Sequence, residues 1–298
     1  MTNSEPEILE NDGARCALWW RDGVPQLPGE RLGVIGQYQC TGAPGGILEA
    51  ACGRLAEAGC TLAVGPMDQN TWRTYRFATE DPSGRPPFFL EPTNPPAYPD
   101  QWRTAGFVPH ATYRSTIATD LAASDPRATR IAQRLRDVGA TVRAVDLARY
   151  ASELAAIHDL SLISFQHNRL YTPLDRESFI AQYERLRPAI DPELALLAHD
   201  PEGQLVGFCF AIPDLEEARR GERVETLIVK TAAVRPGRLW AGLGVHLLEH
   251  CQTVARAKGY RNAIHALMED GNTSRTISEA HGAQVLRRYT LFSKRLVP

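Results

Sequence analysis

Between Thr231 and Cys251 the chain reads TAAVRPGRLWAGLGVHLLEHC, and no other stretch restricts its architecture as much. An apolar run of strand character stops at Arg235-Pro236, because proline has no N–H to give to a strand ladder. Gly242 and Gly244 then open an amphipathic helix predicted from about Ala241 to Lys258. Its apolar face holds Leu243, Leu247, Cys251, Val254 and Ala255, and Gly259 closes it. The stretch joins a strand to a helix through bare backbone.

From Thr141 onward the surrounding elements have a clear order. TVRAVDL reads as a short strand, and ARYASELAAIHDLSLIS and DRESFIAQYERLR read as helices. ELALLAHD, QLVGFCFAI and VETLIVKTAAV read as three strands, the first two joined by a turn at Asp200-Pro-Glu-Gly203. After the glycine-opened helix come a strand (NAIHALM), a helix from about Asn272 to Ala280 and a final hairpin ending in RRYTLFSKRL.

The first half carries weaker copies of these pieces. CALWW, Arg21-Asp22-Gly23 and LGVIGQYQC make strand, turn and strand; GGILEAACGRLAEAG is a helix entered through Gly45-Gly46; CTLAVGPM is a strand. Asn70-Thr71-Trp72-Arg73 answers Asn272-Thr273-Ser274-Arg275. Gly106 precedes Tyr113-Arg114 by seven residues, as Gly282 precedes Tyr289-Thr290. Landmarks in the same order argue for an internal duplication. Residues 1–138 are read as a degenerate copy ending in a linker helix (Asp125 to Gly139), and residues 139–298 as the complete copy. A proline-rich insertion, Asp81 to Pro99, separates the first copy's landmarks; Phe88, Phe89 and Trp102 near it are expected to pack a small core of their own rather than cover the other copy's cleft.

Charge and composition remove several function classes. A formal net charge of -2 with no basic tail gives no electrostatic reason to expect nucleic acid. No apolar run is long enough for a membrane span, and the acidic start MTNSEPEILENDG is unlike a secretory signal. The six cysteines lie without C-x-x-C pairs or a nearby histidine spacing, so they read as reduced thiols of a cytoplasmic protein with no metal site.

A helix start leaves backbone N–H groups unpaired and carries the positive end of the helix dipole, and glycines there admit a phosphate. The turn is not a P-loop, since no G-K-[ST] follows, and it lacks the third glycine of a dinucleotide fingerprint. A glycine pair kept only for tight packing is the competing reading.

VRPGRLWAGLG (Val234 to Gly244), after a long strand and before an amphipathic helix, resembles the acyl-CoA-binding motif of GCN5-related N-acetyltransferases, the GNAT superfamily. The second half follows that family's element order, and Asn272 followed ten residues later by Gly282 resembles its fourth-helix segment. The two-copy layout is similar to that of tandem acetyltransferases. The resemblance implies an α/β (α+β) fold, a mixed sheet flanked by helices, with two such domains in tandem and the first truncated. It implies acetyl-CoA or another acyl-CoA as co-substrate, and acetyl transfer to a primary amine of a small molecule by direct attack in a ternary complex. The backbone of Ala232, Ala233 and Val234 would bond the pantetheine arm. The turn Arg238, Leu239, Trp240, Ala241, Gly242, Leu243 and Gly244 would seat the pyrophosphate, with Asn272 and Arg275 beside it. A monomer or homodimer without membrane or nucleic-acid partners is expected.

Two departures stand out. Leu239 occupies a place where Arg or Gln is usual, and Ser278 occupies that of the tyrosine that protonates the departing thiolate. An acceptor amine must be deprotonated before it attacks, so a base is needed near the cleft. Glu225, at the start of the central strand, is one candidate; the alternative is an exposed strand-end charge. His265 is a second, against a satisfied interior histidine. Tyr289 is a candidate acid, against a half-buried strand tyrosine echoing Tyr113. Lys230 interrupts an apolar strand and faces either solvent or a polar cleft, and Glu269 ends the following strand. FQHNRLYTPL (Phe165 to Leu174) is expected to shape the acceptor side. A catalytically silent CoA-binding or interaction module is the competing function.

Overall fold

The structure, a computed structural model, describes residues 5–11, 13–42 and 46–296. In chain order its strands and helices are β1 (Glu7–Asn11), β2 (Ala14–Trp19), β3 (Leu32–Cys40), α1 (Ile47–Glu57), β4 (Leu62–Gly65), β5 (Phe77–Glu80), α2 (Tyr98–Thr104), β6 (Val108–Ala118), α3 (Ala128–Asp137) and β7 (Thr141–Ala144). The second half continues with α4 (Tyr150–Ser164), α5 (Arg176–Glu184), β8 (Ala195–His199), β9 (Leu205–Pro213), α6 (Leu215–Arg219), β10 (Thr226–Val234), α7 (Leu243–Ala257), β11 (Asn262–Glu269), α8 (Thr273–Ala280) and β12 (Gln284–Arg295).

All twelve strands join one mixed sheet in the order β1-β2-β3-β4-β12-β6-β11-β10-β9-β8-β7, with β5 beside β12. Two pairs are parallel, β3 with β4 and β10 with β11, and they hold equivalent places in the two halves. The centre is an exchange. β6, from the first half, lies between β11 and β12, and β12, from the second half, lies between β6 and β4. The expected C-terminal hairpin is instead this single twelve-residue strand.

Helices cover the sheet because their apolar spacing leaves one face to bury. On α7, Leu243, Leu247, Cys251 and Ala255 are fully buried at intervals of four residues. A Cβ at Gly207 of β9 would lie 2.7 Å from the Leu243 side chain, so glycine there lets α7 settle on the sheet. On the opposite face, α4 and α5 bury Leu154, Leu160 and Phe179 against Leu197 and Phe208. Trp102 sits in the first half's core with Phe107 and Phe292. Phe88 and Phe89 behave differently from the expectation. They pack on Ile212, Ile228 and Ile264 of the second half, and the Phe89 N–H donates to Asp214 Oδ1 at 2.8 Å. Among the described residues no helix is long and apolar enough to cross a membrane.

Candidate active site

The parallel pairing of β10 with β11 ends at Val229 and His265. Both strands break register there: β10 against β9 between Val229 and Thr231, and β11 against β6 between His265 and Met268, with Leu267 at φ 59°. Beyond the break β10 follows β9 to Val234 while β11 follows β6 to Glu269, so the sheet splits. The split opens into a cleft of about 950 Å³. Its walls include Lys230 to Val234, Gly244, Asn168, Arg169, His265 to Glu269 and Asn272 from the second half. The first half contributes Trp72, Tyr75, Arg76, Leu90 and Glu91.

At one end the cleft meets the start of α7. Residues 231–234 pair with β9 only, which leaves the opposite backbone edge towards the cleft; Ser164 Oγ donates to the Val234 carbonyl at 3.1 Å. The following turn is braced from two sides. Trp240 is buried in the α7 core, and the Arg134 guanidinium of α3 donates to the carbonyls of Leu239, at 2.8 Å, and Ala241. Leu239 itself points outward, 52% exposed. The Ala241 N–H already donates to Arg238 O at 3.3 Å. The first bond of α7 runs from His246 N–H to Gly242 O at 3.1 Å, so the amides of Leu243, Gly244 and Val245 precede the helical ladder.

The two glycines have separate reasons. Gly242 has φ 83°, in the left-handed region, and a Cβ there would lie 3.0 Å from Ile131; packing and backbone conformation account for it. At Gly244 a Cβ would meet nothing closer than Ile277 at 3.6 Å, and the residue lines the cleft. Bare backbone at a helix start can take an anion such as a diphosphate, and the amides free to hold one here are those of Leu243, Gly244 and Val245. Asn272 also lines the cleft and caps α8, its Oδ1 accepting from Ser274 N–H at 3.4 Å. Arg275 faces Glu279 at 3.6 Å and is absent from the cleft wall.

The other end lies where the strands part. Lys230 reaches the Leu90 carbonyl at 3.3 Å. Burial, with help from the Arg76 charge, pulls its ammonium down to about 8, while Glu91 opposes the shift. Glu91 is fully buried: Arg287 holds one oxygen at 2.5 Å and the Tyr289 hydroxyl donates to the other. Tyr289 also reaches Ser115 Oγ at 3.1 Å. Burial and the Glu91 charge push its phenol far up.

Three expectations about the chemistry change. Glu225 precedes β10 at its closed end, five residues before Lys230 and so roughly 16 Å from the cleft along a strand. It is ion-paired with Arg261 at 3.4 Å, which makes it a strand-end charge. His265 stands at the split, but its Nδ1 lies 2.8 Å from Ser278 Oγ and its Nε2 3.3 Å from Gln252 Nε2. Burial holds it near 3, too weak a base for neutral pH. Ser278, in place of the usual tyrosine, also lies 2.6 Å from Thr116 Oγ1, so it is the hub of a buried network. Tyr289, wholly buried behind Glu91, supports that carboxylate and does not face the cleft.

Arg76, Glu91 and Trp72 were not anticipated in this cleft. Trp72 inserts from the first half, donating Nε1–H to Thr172 O at 2.6 Å and meeting Phe179 edge-on. The one signal for it was the echo of Asn70–Arg73 with Asn272–Arg275.

In the first half the equivalent split is shut. β3 and β4 pair through Val34 and Val64, then Met67 N–H donates to Ile35 O at 2.9 Å and Gln37 N–H to Asp68 Oδ1 at 2.8 Å. Trp102 lies against Gly65, leaving no room even for a Cβ. The Thr41–Gly46 turn, read as unable to seat a phosphate, includes residues 43–45, outside the described residues.

No family model and no curated protein matches this chain. Solved structures are similar over nearly its whole length. A GCN5-related N-acetyltransferase from Sphaerobacter thermophilus matches 96% of this chain and 78% of its own, with a TM-score of 0.55 at 16% identity. A GCN5-related glucosamine N-acetyltransferase region of a fungal multi-domain GH3 β-N-acetylglucosaminidase matches 95% of this chain and 31% of that one, with a TM-score of 0.59 at 12% identity. A tandem GNAT protein from the clavulanic acid biosynthesis pathway matches 96% and 80%, with a TM-score of 0.50 at 16% identity. The chain has the GNAT fold.

Proposed function

We propose that this chain is an acyl-CoA-dependent N-acyltransferase that transfers an acetyl group to the primary amine of a small molecule, with one working cleft, in the second half. The observation that carries this reading is the split of β10 from β11 ending on an open Gly244 at the start of α7. Among the described residues that arrangement supplies both an unpaired strand edge and unpaired helix amides, which suit an arm ending in a diphosphate.

When bound, acyl-CoA supplies the acyl group: the amine forms a C–N bond to the thioester carbon, the C–S bond breaks, and CoA leaves as its thiol. The chain's part is positioning and proton movement. Residues 231–234 and α7 hold the donor; Trp72, Tyr171 and Asn168 wall the acceptor side. Lys230, drawn towards the neutral form by burial, takes the amine's proton, replacing Glu225 and His265 in that role.

Calorimetry with acetyl-CoA on the wild type and on Gly244→Glu tests the donor site. Undetectable wild-type binding at millimolar ligand ends the reading. A silent CoA-binding module is the second reading, favoured by Ser278 standing in place of the thiolate acid. Thiol release from acetyl-CoA with a panel of amines, abolished by Gly244→Glu, rejects it.

A further inference from the structure

We propose that the cleft contains a carboxylate-binding subsite, and that its anchor is Arg76, contributed by the degenerate half to the working half. The proposal rests on the acyltransferase reading for its biological meaning, though not for its test.

Arg76 is 7% exposed, and it lines the cleft. Its guanidinium sits in the corner made by two perpendicular rings, 3.9 Å from the Tyr75 ring centre and 4.2 Å from that of Tyr113. Nη1 donates to Leu267 O, on the bulge of β11, at 3.3 Å; Nε is buried without a hydrogen-bond partner. A guanidinium has five protons to donate, so most of this capacity is unused. Among the described residues Arg76 has no ion-pair partner, which is costly for a buried charge.

The carboxylates of the cleft cannot serve it. Glu91 is tied to Arg287 and to the Tyr289 hydroxyl, and Glu269 to Arg169 at 3.3 Å. Lys230, across the split, adds like charge rather than relief. The phosphates of a bound CoA lie at the wrong end: Val234, beside Gly244, is four strand residues from Lys230, or about 13 Å. A planar anion entering from the cleft would complete Arg76, and a carboxylate matches its fork of donors.

A carboxylate at this place belongs either to the amine acceptor, as in an amino acid, or to a dicarboxylic acyl group. Two kinetic arms separate the sources. One compares α-amino acids with the matching amines, using acetyl-CoA. The other compares succinyl-CoA with acetyl-CoA, using an uncharged amine. In one arm the carboxylated member is expected to be favoured by about 10–100-fold in kcat/KM. Arg76→Gln removes that preference, read as the ratio of the two members because loss of the Arg76 charge also acts on Lys230 and so on both alike, and Arg76→Lys restores part of it.

Binding reads the site without turnover. N-acetyl-L-alanine and N-acetyl-L-phenylalanine are titrated against their amides, and succinate against succinamide, into wild type and Arg76→Gln by calorimetry. A carboxylate advantage of tenfold or more that vanishes in Arg76→Gln supports the subsite. Equal affinity for acid and amide in both series, or an equal loss of both in the variant, overturns it. Acetyl-CoA affinity and the far-UV spectrum of Arg76→Gln certify the fold. If acetyl-CoA does not bind at all, the acyltransferase reading fails while the acid-against-amide titration still decides the subsite.

Discussion

Tyr113 and Tyr289 are register partners on adjacent antiparallel strands, each seven residues after its own half's glycine. The two echo residues therefore meet at the centre of the sheet, as a two-fold relation between the halves requires. Each half gives its last strand to the other, which pairs both inner edges and leaves neither half with a complete sheet. Residues 1–138 and 139–298 produced separately are expected to aggregate or stay unfolded, and co-production to restore a soluble complex. Gel filtration and far-UV circular dichroism check this. A monomeric, folded 139–298 fragment would show that the exchange is dispensable.

Gly242 and Gly244 should respond differently to alanine. At Gly242 the positive φ and the nearby Ile131 make alanine cost on the order of 1–2 kcal/mol of stability. At Gly244 alanine has ordinary contact distances, so stability changes little. Glutamate there puts a charge where the diphosphate is expected, and acetyl-CoA affinity should fall by more than 100-fold. Urea denaturation and calorimetry on the same three variants separate the effects.

The buried pair of Glu91 and Arg287 ties the proline-rich insertion to β12. Glu91→Ala leaves Arg287 without its closest anion and is expected to cost about 3–5 kcal/mol. Tyr289→Phe removes one hydrogen bond to the same carboxylate and should cost about 1–2 kcal/mol. Denaturant midpoints rank the two; a Glu91→Ala chain as stable as wild type would mean that Asp81 and Arg85 O suffice for Arg287.

The second half was legible because its elements are locally consistent. The four-residue spacing of Leu243, Leu247, Cys251 and Ala255 and the proline after Arg235 mark a helix and a strand end without any tertiary information. β6 was not legible, since His110, Thr112, Arg114, Ser115 and Thr116 break up its apolar pattern, and its strand character comes from two partners distant in sequence. β12 was misread as a hairpin for the same reason: Arg287 and Arg288 interrupt its apolar pattern, while Arg287 is in fact buried against Glu91. The turn that opens α7 was legible from backbone signals at Gly242 and Gly244. Glu91 could not be foreseen, because the insertion read as packing its own half enters the other half's cleft, and Arg76 carried no sequence signal at all.

If Lys230 takes the acceptor's proton, kcat should rise with pH through a limb near 8 and level off above it, because the neutral amine is the working form. Lys230→Met should lower kcat by 10²–10⁴-fold and abolish the limb, with acetyl-CoA affinity unchanged. The same group has a stability signature. Its folded pKa lies below the unfolded value of about 10.4, so the unfolded chain binds this proton more strongly, and stability should rise between about pH 8 and 10.4. Steady-state kinetics from pH 6 to 10 test the first statement; an unchanged limb in Lys230→Met would transfer the role to another group.

One CoA per chain is expected, although the fold contains the motif's framework twice. In the second half the split after Val229 and His265 leaves an open strand edge. In the first half Met67 N–H and Gln37 N–H cross the equivalent gap, and Trp102 occupies the space over Gly65. Admitting a pantetheine arm there would break both hydrogen bonds and displace a fully buried indole, a loss of several kcal/mol before any contact with the ligand is gained. Calorimetric titration with acetyl-CoA should therefore saturate at a stoichiometry near one, and Gly244→Glu alone should eliminate the heat. A stoichiometry near two, or residual binding in Gly244→Glu, would place a second site in the first half. Trp102→Ala cannot create one, since the strand-crossing hydrogen bonds remain, and it should only lower stability by about 3–5 kcal/mol.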